Sequence, residues 1–321
     1  MPEVSVVITY YNSSPFYLRK CLDSVIEQTF KDFEAIIVCN EKCCKQYWMR
    51  IKEEYEKLDS RLKFVSIDKK GASAARNYAI SMCQGKYLSI IDGDDYVENN
   101  FLSRLMEGMK EGTSDICICG VVDKYFPVVN MTIDRRIFFS MPGEFINRQY
   151  INFSVNKLYK LEYIREHEIR YPEGVELGED ALFLAQYYKY CNHISCIPDG
   201  LYHYIAHRTS LTHVFFKKYF EYERDVIDVQ YKMFSQYPLS ESEKEILYPW
   251  LFIKMLYTAW YYLDENPDYV TEAKRIFELK EMTILLEGDY KTNKRFNKKQ
   301  IKMIEKWKKH QMPYGLMKKI M

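Results

Sequence analysis

Short apolar runs alternate with amphipathic stretches over the first hundred residues. The apolar runs are rich in β-branched residues, which is typical of strands buried on both faces of a sheet; they are residues 4–10, 33–40, 62–67 and 87–92. The stretches between them place apolar residues at helical spacing; they are residues 15–29, 45–58 and 73–83. This βαβαβαβ order predicts an α/β, Rossmann-like fold with a mostly parallel central sheet and helices on both faces.

The pattern is less regular in the second half of the chain. The predicted elements there are strands at 114–126 and 135–140, a short apolar segment at 155–160 and a helix within 173–191. From about Phe216 the spacing becomes helical throughout. We therefore expect a large α/β domain over residues 1–215 and a C-terminal helical region over 216–321.

Three carboxylates follow the fourth predicted strand directly, in the stretch YLSIIDGDDYV. Asp92, Asp94 and Asp95 repel one another and cannot enter a core unpaired. Ligands of parallel sheets bind outside the carboxyl ends of the strands, which is where this strand delivers its acids. Hard oxygen ligands of this kind suit Mg²⁺ or Mn²⁺ bridged to substrate phosphates. The alternative is a turn whose aspartates cap a helix starting near Asn99.

Other strand ends carry side chains suited to a nucleotide. The first strand ends in TYYNSS, so Thr9 and Tyr11 lie at the same predicted edge, where a tyrosine ring can stack on a base or simply belong to a polar loop. Arg76 lies in the first turns of the third helix, after Lys69 and Lys70, and a helix N-terminus beside a guanidinium is a ready anion site.

Five fragments together resemble family 2 glycosyltransferases of the GT-A fold. They cover roughly residues 3 to 215 and occur in the order of that family: VSVVITYYN, CLDSVIEQTFKDFEAIIV, GASAARNYAI…GKYLSIIDGDDYV, VNKLYK and GVELGEDALF. The resemblance implies transfer of a sugar from a nucleotide sugar that lies across the sheet edge, with a metal at the Asp-x-Asp carboxylates. By position it implies that Thr9 and Tyr11 contact the base, and that Arg76 contacts the base or the diphosphate.

For the three aspartates the resemblance implies donor and metal binding, without fixing how the roles are divided. Asp92 and Asp94 are expected to hold the ribose or the donor sugar, and Asp95, with Asp94, the Mn²⁺ or Mg²⁺. The second strand of the family normally ends in two aspartates, whereas here it ends in Cys39 and Asn40. Asn40 can accept a hydrogen bond through its amide oxygen but carries no charge. A UDP-sugar remains the expected donor.

The second half is expected to supply the acceptor side. Glu179 and Asp180 begin the predicted helix within 173–191, and locally they fit a helix start whose acids favour the dipole. Displacement at an anomeric carbon also needs a carboxylate near the acceptor hydroxyl. The resemblance places that general base at Asp180, implies inversion of configuration, and leaves Glu179 to position the acceptor or the loop. Asn156 and Lys157 are candidates for side chains facing the cleft.

The segment 199–213 groups several polar side chains in a predicted loop after a strand. Arg208 resembles the arginine of the family's Y-x-h-R-x-x-S segment, which folds over the donor, and is a candidate clamp on the departing diphosphate. His203, His207 and His213 lie in the same segment. One of them is a candidate extra metal ligand, and an isolated histidine is more often structural.

Charge and composition add a possible surface partner. Residues 291–321 contain eleven lysines and arginines against one acid, Glu305, giving +10, while the other 290 residues carry −9. Aliphatic residues and Trp307 interleave with these lysines, so the tail is either a segment that binds an anionic inner leaflet or a solvated helix end. Binding to the leaflet would fit a glycan or lipid-linked oligosaccharide as acceptor. No nucleic acid is expected, because no aromatic-studded basic face accompanies the tail.

The same composition bears on location. No window reaches the roughly 18 apolar residues of a membrane span, and the start of the chain indicates a first strand rather than a signal peptide. Nine cysteines without metal-type spacing indicate reduced thiols, so we expect a cytoplasmic protein. If the basic tail binds lipid, the protein is also peripheral on the inner membrane face. Two other functions stay open: a non-catalytic sugar-nucleotide-binding or scaffold protein on the same fold, and a phosphatase using an aspartate of IIDGDD as nucleophile.

Overall fold

The structure is a computed structural model. It describes residues 1–11, 14–40, 45–109, 113–122, 131–140, 151–205, 219–236, 301, 302 and 305. The chain divides into two compact units, Met1–Phe138 with Glu144–Val214, and Phe139–Gly143 with Phe215–Met321. The site described below lies within the first unit. In the second unit a helix runs from Tyr219 to Ser235.

Nine strands and eight helices are formed by the described residues. The strands are β1 Val4–Tyr10, β2 Phe33–Asn40, β3 Leu62–Ile67, β4 Tyr87–Asp92, β5 Tyr96–Val97, β6 Ile116–Val121, β7 Met131–Asp134, β8 Lys157–Lys160 and β9 His193–His203. The helices are α1 Pro15–Ile26, α2 Lys45–Leu58, α3 Ala72–Met82, α4 Phe101–Gly108, α5 Arg135–Ser140, α6 Leu161–Glu166, α7 Glu179–Tyr188 and α8 Tyr219–Ser235.

The first four strands form the parallel half of one sheet, in the order β3-β2-β1-β4. Strand β1 is central, with Thr9 in register with Val38 of β2 on one side and with Asp92 of β4 on the other. The chain moves outward from β1 to β3 and then returns past β1 to β4. With right-handed crossovers, α3 must therefore lie on the opposite face from α1 and α2. The order reverses between β1 and β4, which is the position where such sheets bind ligands.

The other half of the sheet continues as β8-β6-β9-β5, with β7 paired to β9. Strand β8 is antiparallel to both β4 and β6, and β9 runs parallel to β6. Strand β9 also pairs with the two-residue strand β5 just after the aspartates, where Val97 meets Tyr202. This long strand therefore reaches from the sheet interior to the edge that carries the carboxylates.

Continuous apolar runs build the sheet because helices cover both faces. In β4 every residue before Asp92 is buried, and β6 is buried along its whole length. The turn after β4 lies against the end of β1, where Gly93 N donates to Thr9 O over 2.9 Å. A Cβ atom at Gly93 would lie only 2.8 Å from that oxygen, so a side chain here would push the two strand ends apart. The glycine keeps the aspartates against β1.

Three predictions about the second half were wrong. Residues 135–140 form helix α5 rather than a strand, because Asp134 ends β7 and its carboxylate accepts a hydrogen bond from Arg136 N over 2.7 Å, which caps the helix. The second error concerns Asn156 and Lys157, which are buried just before and at the start of β8 rather than facing a cleft. Strand β9 also extends through His203, so this histidine lies in a strand instead of the predicted loop.

Candidate active site

One buried arginine gathers carboxylates from both halves of the domain. Arg76, on α3, donates through Nη2 to Asp92 Oδ1 over 2.8 Å. Its Nη1 donates to Glu179 Oε1 over 3.0 Å and to Asp180 Oδ1 over 2.9 Å. The side chain of Arg76 is only 5% exposed. The end of β4 and the start of α7 are thus tied together by a single guanidinium.

The local sequence explains how these side chains come together. Helix α3 begins after Gly71 and packs on β1 and β2, which places Arg76 in its second turn near the switch point of the sheet. Helix α7 begins after Gly178, whose φ of 83° is a left-handed conformation that favours glycine. Glu179 and Asp180 are therefore the first two helical residues, and their charges suit the positive end of the helix dipole.

Burial and mutual repulsion set the charge states at this cluster. Burial, reinforced by the charge of Asp180, raises the pKa of Glu179 to about 7, although Arg76 opposes the shift. Burial alone would lower the pKa of the Arg76 guanidinium, but the surrounding carboxylates raise it, so the group stays charged. The ring of Tyr171 lies under that guanidinium, 5.0 Å from its central carbon. The cluster thus holds one fixed positive charge and up to three negative ones.

The three aspartates after β4 have different surroundings. Asp92 is bound to Arg76, and Asp94 is partly exposed. Asp95 is 2% exposed, and both of its carboxylate oxygens accept hydrogen bonds, Oδ2 from Tyr202 Oη over 2.7 Å and Oδ1 from Ile205 N over 2.7 Å. Burial and the charge of Asp92 raise the pKa of Asp95 to about 8. These contacts favour Asp95 as an internal anchor for the end of β9 and Asp94 as the carboxylate accessible to a ligand.

The residues predicted to contact the base lie around the same edge. Thr9 is in register with Asp92, and Tyr11, one residue beyond the end of β1, is 53% exposed. Asn40 ends β2 and its backbone is in register with Ile67 of β3. Thr9, Asn40 and Asp92 therefore lie at the C-terminal edge of adjacent parallel strands. Arg208, His207 and His213 lie outside the described residues.

A divalent cation fits this edge through a small donor set. Among the described residues, no three His, Cys, Asp or Glu side chains are grouped so as to enclose a metal by themselves. Mg²⁺ and related ions usually take only one or two carboxylates and complete their shell with water and substrate phosphates. Asp94, with Asp92 beside it, supplies such a set. His203 hydrogen-bonds to Glu98 over 2.6 Å and stacks on Tyr96, which favours a structural role for that histidine.

Two contributors to the site carried no clear signal in the sequence. Ser154 donates to Asp180 through both its hydroxyl and its backbone N. Tyr202, fully buried in β9, donates to Asp95 and also accepts from Asp92 N over 3.2 Å. Ser154 directly precedes the VNKLYK segment, and Tyr202 directly follows Leu201 in the segment 199–213. The position of Ser154 beside VNKLYK and of Tyr202 within 199–213 was the only available hint.

The site combines carboxylates at the β1/β4 switch point of an α/β sheet with an acidic pair at the start of a helix from the second half of the domain. This arrangement is of the GT-A type. Comparison with known proteins agrees with this class. Residues 5–161 match the family model Glycosyl transferase family 2. Residues 5–161 therefore form a glycosyltransferase family 2 domain, and the predicted family and GT-A fold are confirmed.

Individual relatives match about two thirds of the chain. The chain is 30% identical over 230 residues to EpsH of Bacillus subtilis (strain 168), whose name assigns it to the glycosyltransferases; this is 68% of the chain and 65% of EpsH. It is 26% identical over 212 residues to the poly(ribitol-phosphate) beta-N-acetylglucosaminyltransferase TarS of Staphylococcus aureus (strain Mu50), 65% of the chain and 36% of TarS. The chain thus spans less than two thirds of the length of these relatives.

Solved structures share the fold. Residues 1–349 of S. aureus TarS in complex with UDP-GlcNAc superpose with a TM-score of 0.61 at 19% identity, covering 86% of the chain and 83% of that structure. A mannosyltransferase from Pyrobaculum calidifontis in complex with GDP-Man and Mn²⁺ superposes with a TM-score of 0.54 at 14% identity, covering 88% and 83%. No helix among the described residues has the length and hydropathy needed to cross a membrane.

Proposed function

We propose that this protein transfers a sugar from a nucleoside-diphosphate sugar, with UDP as the favoured nucleotide, to a glycan or lipid-linked glycan, with inversion at the anomeric carbon. The observation that carries the proposal is the bridge from Asp92 through Arg76 to Asp180. It brings a carboxylate at the ligand-binding edge of the sheet next to a carboxylate that can serve as a base. Binding a nucleotide alone does not require the second group.

The donor is proposed to lie along the ends of β1, β2 and β4. Tyr11 offers an exposed ring for the base, Asn40 the amide at the position where the family has an aspartate, and Asp92 and Asp94 the carboxylates for the ribose or donor sugar. Solved structures of this fold hold different nucleotide sugars, UDP-GlcNAc in TarS and GDP-Man in the mannosyltransferase from Pyrobaculum calidifontis, so the fold does not select the base. UDP is favoured because TarS also matches this chain in sequence.

Chemistry at the anomeric carbon is proposed to follow from charge placement. Asp180 takes the proton of the acceptor hydroxyl as that oxygen attacks the sugar from the face opposite the diphosphate. A divalent ion held by Asp94 would neutralise charge on the leaving diphosphate. Arg76 keeps Asp180 and Asp92 at fixed positions, and Arg208 is the candidate cation on the diphosphate. Glu179 is proposed to position the acceptor.

The acceptor is proposed to be a cell-surface polymer or its lipid-linked precursor. TarS acts on poly(ribitol-phosphate) according to its name, and a poly(ribitol-phosphate) beta-glucosyltransferase of Bacillus spizizenii matches 64% of this chain. Both act on a polymer, which supports a glycan or polyol-phosphate acceptor here.

A panel of nucleotide sugars tests the proposed function. Thermal unfolding of the full chain is measured with UDP-glucose, UDP-galactose, UDP-GlcNAc, UDP-GalNAc and GDP-mannose, each with and without Mn²⁺. A specific donor should raise the melting temperature by mass action, and the rise should need Mn²⁺. A melting temperature that no nucleotide sugar changes would contradict the proposal.

The two neighbouring aspartates are expected to respond differently to substitution. Asp94→Asn should abolish Mn²⁺-dependent binding of UDP, measured by calorimetry, and leave the melting temperature of the free protein unchanged. Asp95→Asn should lower that melting temperature, because the amide offers one acceptor oxygen to the two donors, Tyr202 and Ile205 N. Full Mn²⁺-dependent affinity in Asp94→Asn, together with its loss in Asp95→Asn, would assign the metal to Asp95 instead.

The basic tail is proposed to bind an anionic membrane surface. Residues 291–321 should drive sedimentation of the protein with vesicles containing phosphatidylglycerol but not with neutral phosphatidylcholine vesicles. Binding should weaken steeply between 0.1 M and 1 M salt, as the Debye length falls from ~10 Å to ~3 Å. A variant lacking 291–321 should lose the binding and keep UDP affinity. Equal vesicle binding by the shortened chain would leave the tail as a solvated helix end.

A further inference from the structure

The short segment 153–156, just before β8, presents one of its residues to Asp180. Ser154 is fully buried. Its Oγ donates to Asp180 Oδ1 over 2.8 Å, and its backbone N donates to Asp180 Oδ2 over 3.3 Å. Both carboxylate oxygens are therefore contacted by donors from a single residue, on a different element from Arg76.

Residues of the sheet donate a hydrogen bond to every carbonyl oxygen of the segment 153–156. Lys157 Nζ donates to the first and third carbonyl oxygens over 2.6 and 3.4 Å. Tyr159 Oη donates to Ser154 O over 2.6 Å, and Cys119 N donates to the fourth carbonyl oxygen over 3.1 Å. With all four acceptors satisfied by strands β6 and β8, the backbone of the segment has little freedom to move.

Lys157 donates these hydrogen bonds from a buried position, which is unfavourable for a charged amine. The side chain is completely buried, and burial lowers the pKa of its ammonium group to about 7. Besides the two carbonyls, Nζ donates to the side-chain oxygen of Asn156 over 3.0 Å, and Asn156 adopts a left-handed φ of 56°. Among the described residues, all acceptors of the buried amine thus belong to the segment that carries Ser154.

We propose that Ser154 is a positioning residue for the base, and that Lys157 and Tyr159 act by holding Ser154 in place. Oδ1 of Asp180 accepts from both Arg76 and the Ser154 hydroxyl, whereas Oδ2 accepts, among the described residues, only the longer bond from Ser154 N. Oδ2 therefore keeps capacity for the acceptor hydroxyl. The serine fixes which oxygen faces the acceptor. This inference rests on the proposed role of Asp180.

The test is release of UDP or GDP from the panel donor with the largest thermal shift, measured for Ser154→Ala and Ser154→Cys. Alanine removes the hydroxyl, and cysteine fills the same space with a weak donor. Both should lower kcat on the order of 10-fold, as expected when a charged group loses a hydrogen bond, with KM for the donor unchanged. The matched control is Ser5→Ala, since the buried Ser5 hydroxyl also donates to a carboxylate, Glu34, over 2.8 Å and lies on β1 away from Asp180.

A double-mutant cycle separates positioning from a general structural role. In an Asp180→Asn background, Ser154→Ala should cause no further loss, because the serine acts only through that carboxylate. Multiplicative losses, or a fall in rate as large in Ser5→Ala as in Ser154→Ala, would overturn the inference while leaving the proposed base in place. An unchanged rate in Asp180→Asn itself would overturn both the role of Ser154 and the proposed base. This single variant therefore distinguishes failure of the proposed function from failure of the inference.

Discussion

Replacing Asp180 with asparagine is expected to lower the rate of sugar transfer by roughly 10²–10⁴-fold, the usual contribution of a positioned general base. The amide has the same shape, and its one oxygen can still accept from Arg76 and the Ser154 hydroxyl. Only the longer bond from Ser154 N is lost, so the site should keep its geometry. Because Asp180 contacts the acceptor rather than the nucleotide in this account, the affinity for UDP should stay unchanged. The rate is measured as release of the nucleoside diphosphate, and the affinity by calorimetry.

Asp199→Asn is the matched control for this substitution. Asp199 is also a carboxylate paired with an arginine, Arg104, at 2.9 Å, and it lies in β9 away from the cluster around Arg76. It should retain full activity. If Asp180→Asn transfers sugar at the normal rate, the base is a different group, and Glu179→Gln becomes the next variant to measure.

Replacing Arg76 with methionine is expected to destabilise the protein by about 3–5 kcal/mol, the usual cost of breaking a buried ion pair by removing one partner. The variant leaves Asp92, Glu179 and Asp180 close together without their shared cation. Their repulsion should fade as they are protonated, so the loss of unfolding free energy should be smaller at pH 5 than at pH 8. Urea unfolding at the two pH values measures both effects.

Arg104→Met provides the comparison for this prediction. Arg104 pairs with Asp199 and Glu107 near the surface, with its side chain 35% exposed. Exposed pairs contribute about 0–1 kcal/mol, so this variant should be nearly as stable as the natural protein at both pH values. Equal losses in the two arginine variants, or a loss at Arg76 that does not change with pH, would show that the carboxylates do not depend on Arg76.

The parallel half of the sheet could be predicted almost residue by residue. A strand covered on both faces must be apolar along its whole length, and runs such as VSVVITY and YLSIID carry that signal without ambiguity. The segment 135–140 was mistaken for a strand because a short apolar run fits either element. Its outcome depended on the carboxylate of Asp134 at the preceding position, which caps a helix.

The components of the site were visible in the sequence, but their connections were not. Asp92, Arg76, Glu179 and Asp180 were all named from strand ends, a helix start and the family resemblance. The expectation for Arg76 was contact with the donor, whereas the structure joins it to carboxylates 16, 103 and 104 positions away. Pairing over such distances depends on how the helices pack, which local patterns do not encode. Whether Arg76 also contacts the donor stays a prediction.

Ser154 shows a further limit of prediction from a single sequence. A serine has many structural uses, and nothing in its immediate neighbours distinguishes a donor to a carboxylate from an ordinary turn residue. Its role becomes visible only once β8 brings the segment 153–156 beside the start of α7.

The central claim is that this site breaks the bond between a sugar and a nucleoside diphosphate. The most direct measurement is analysis of the products formed when the full chain is incubated with its best-binding nucleotide sugar and Mn²⁺. We expect the intact nucleoside diphosphate to be released, and the sugar to be found on an acceptor or on water with inverted configuration. Tight binding with no product would indicate a non-catalytic binding protein, and release of inorganic phosphate would indicate a phosphatase; either result would contradict the account.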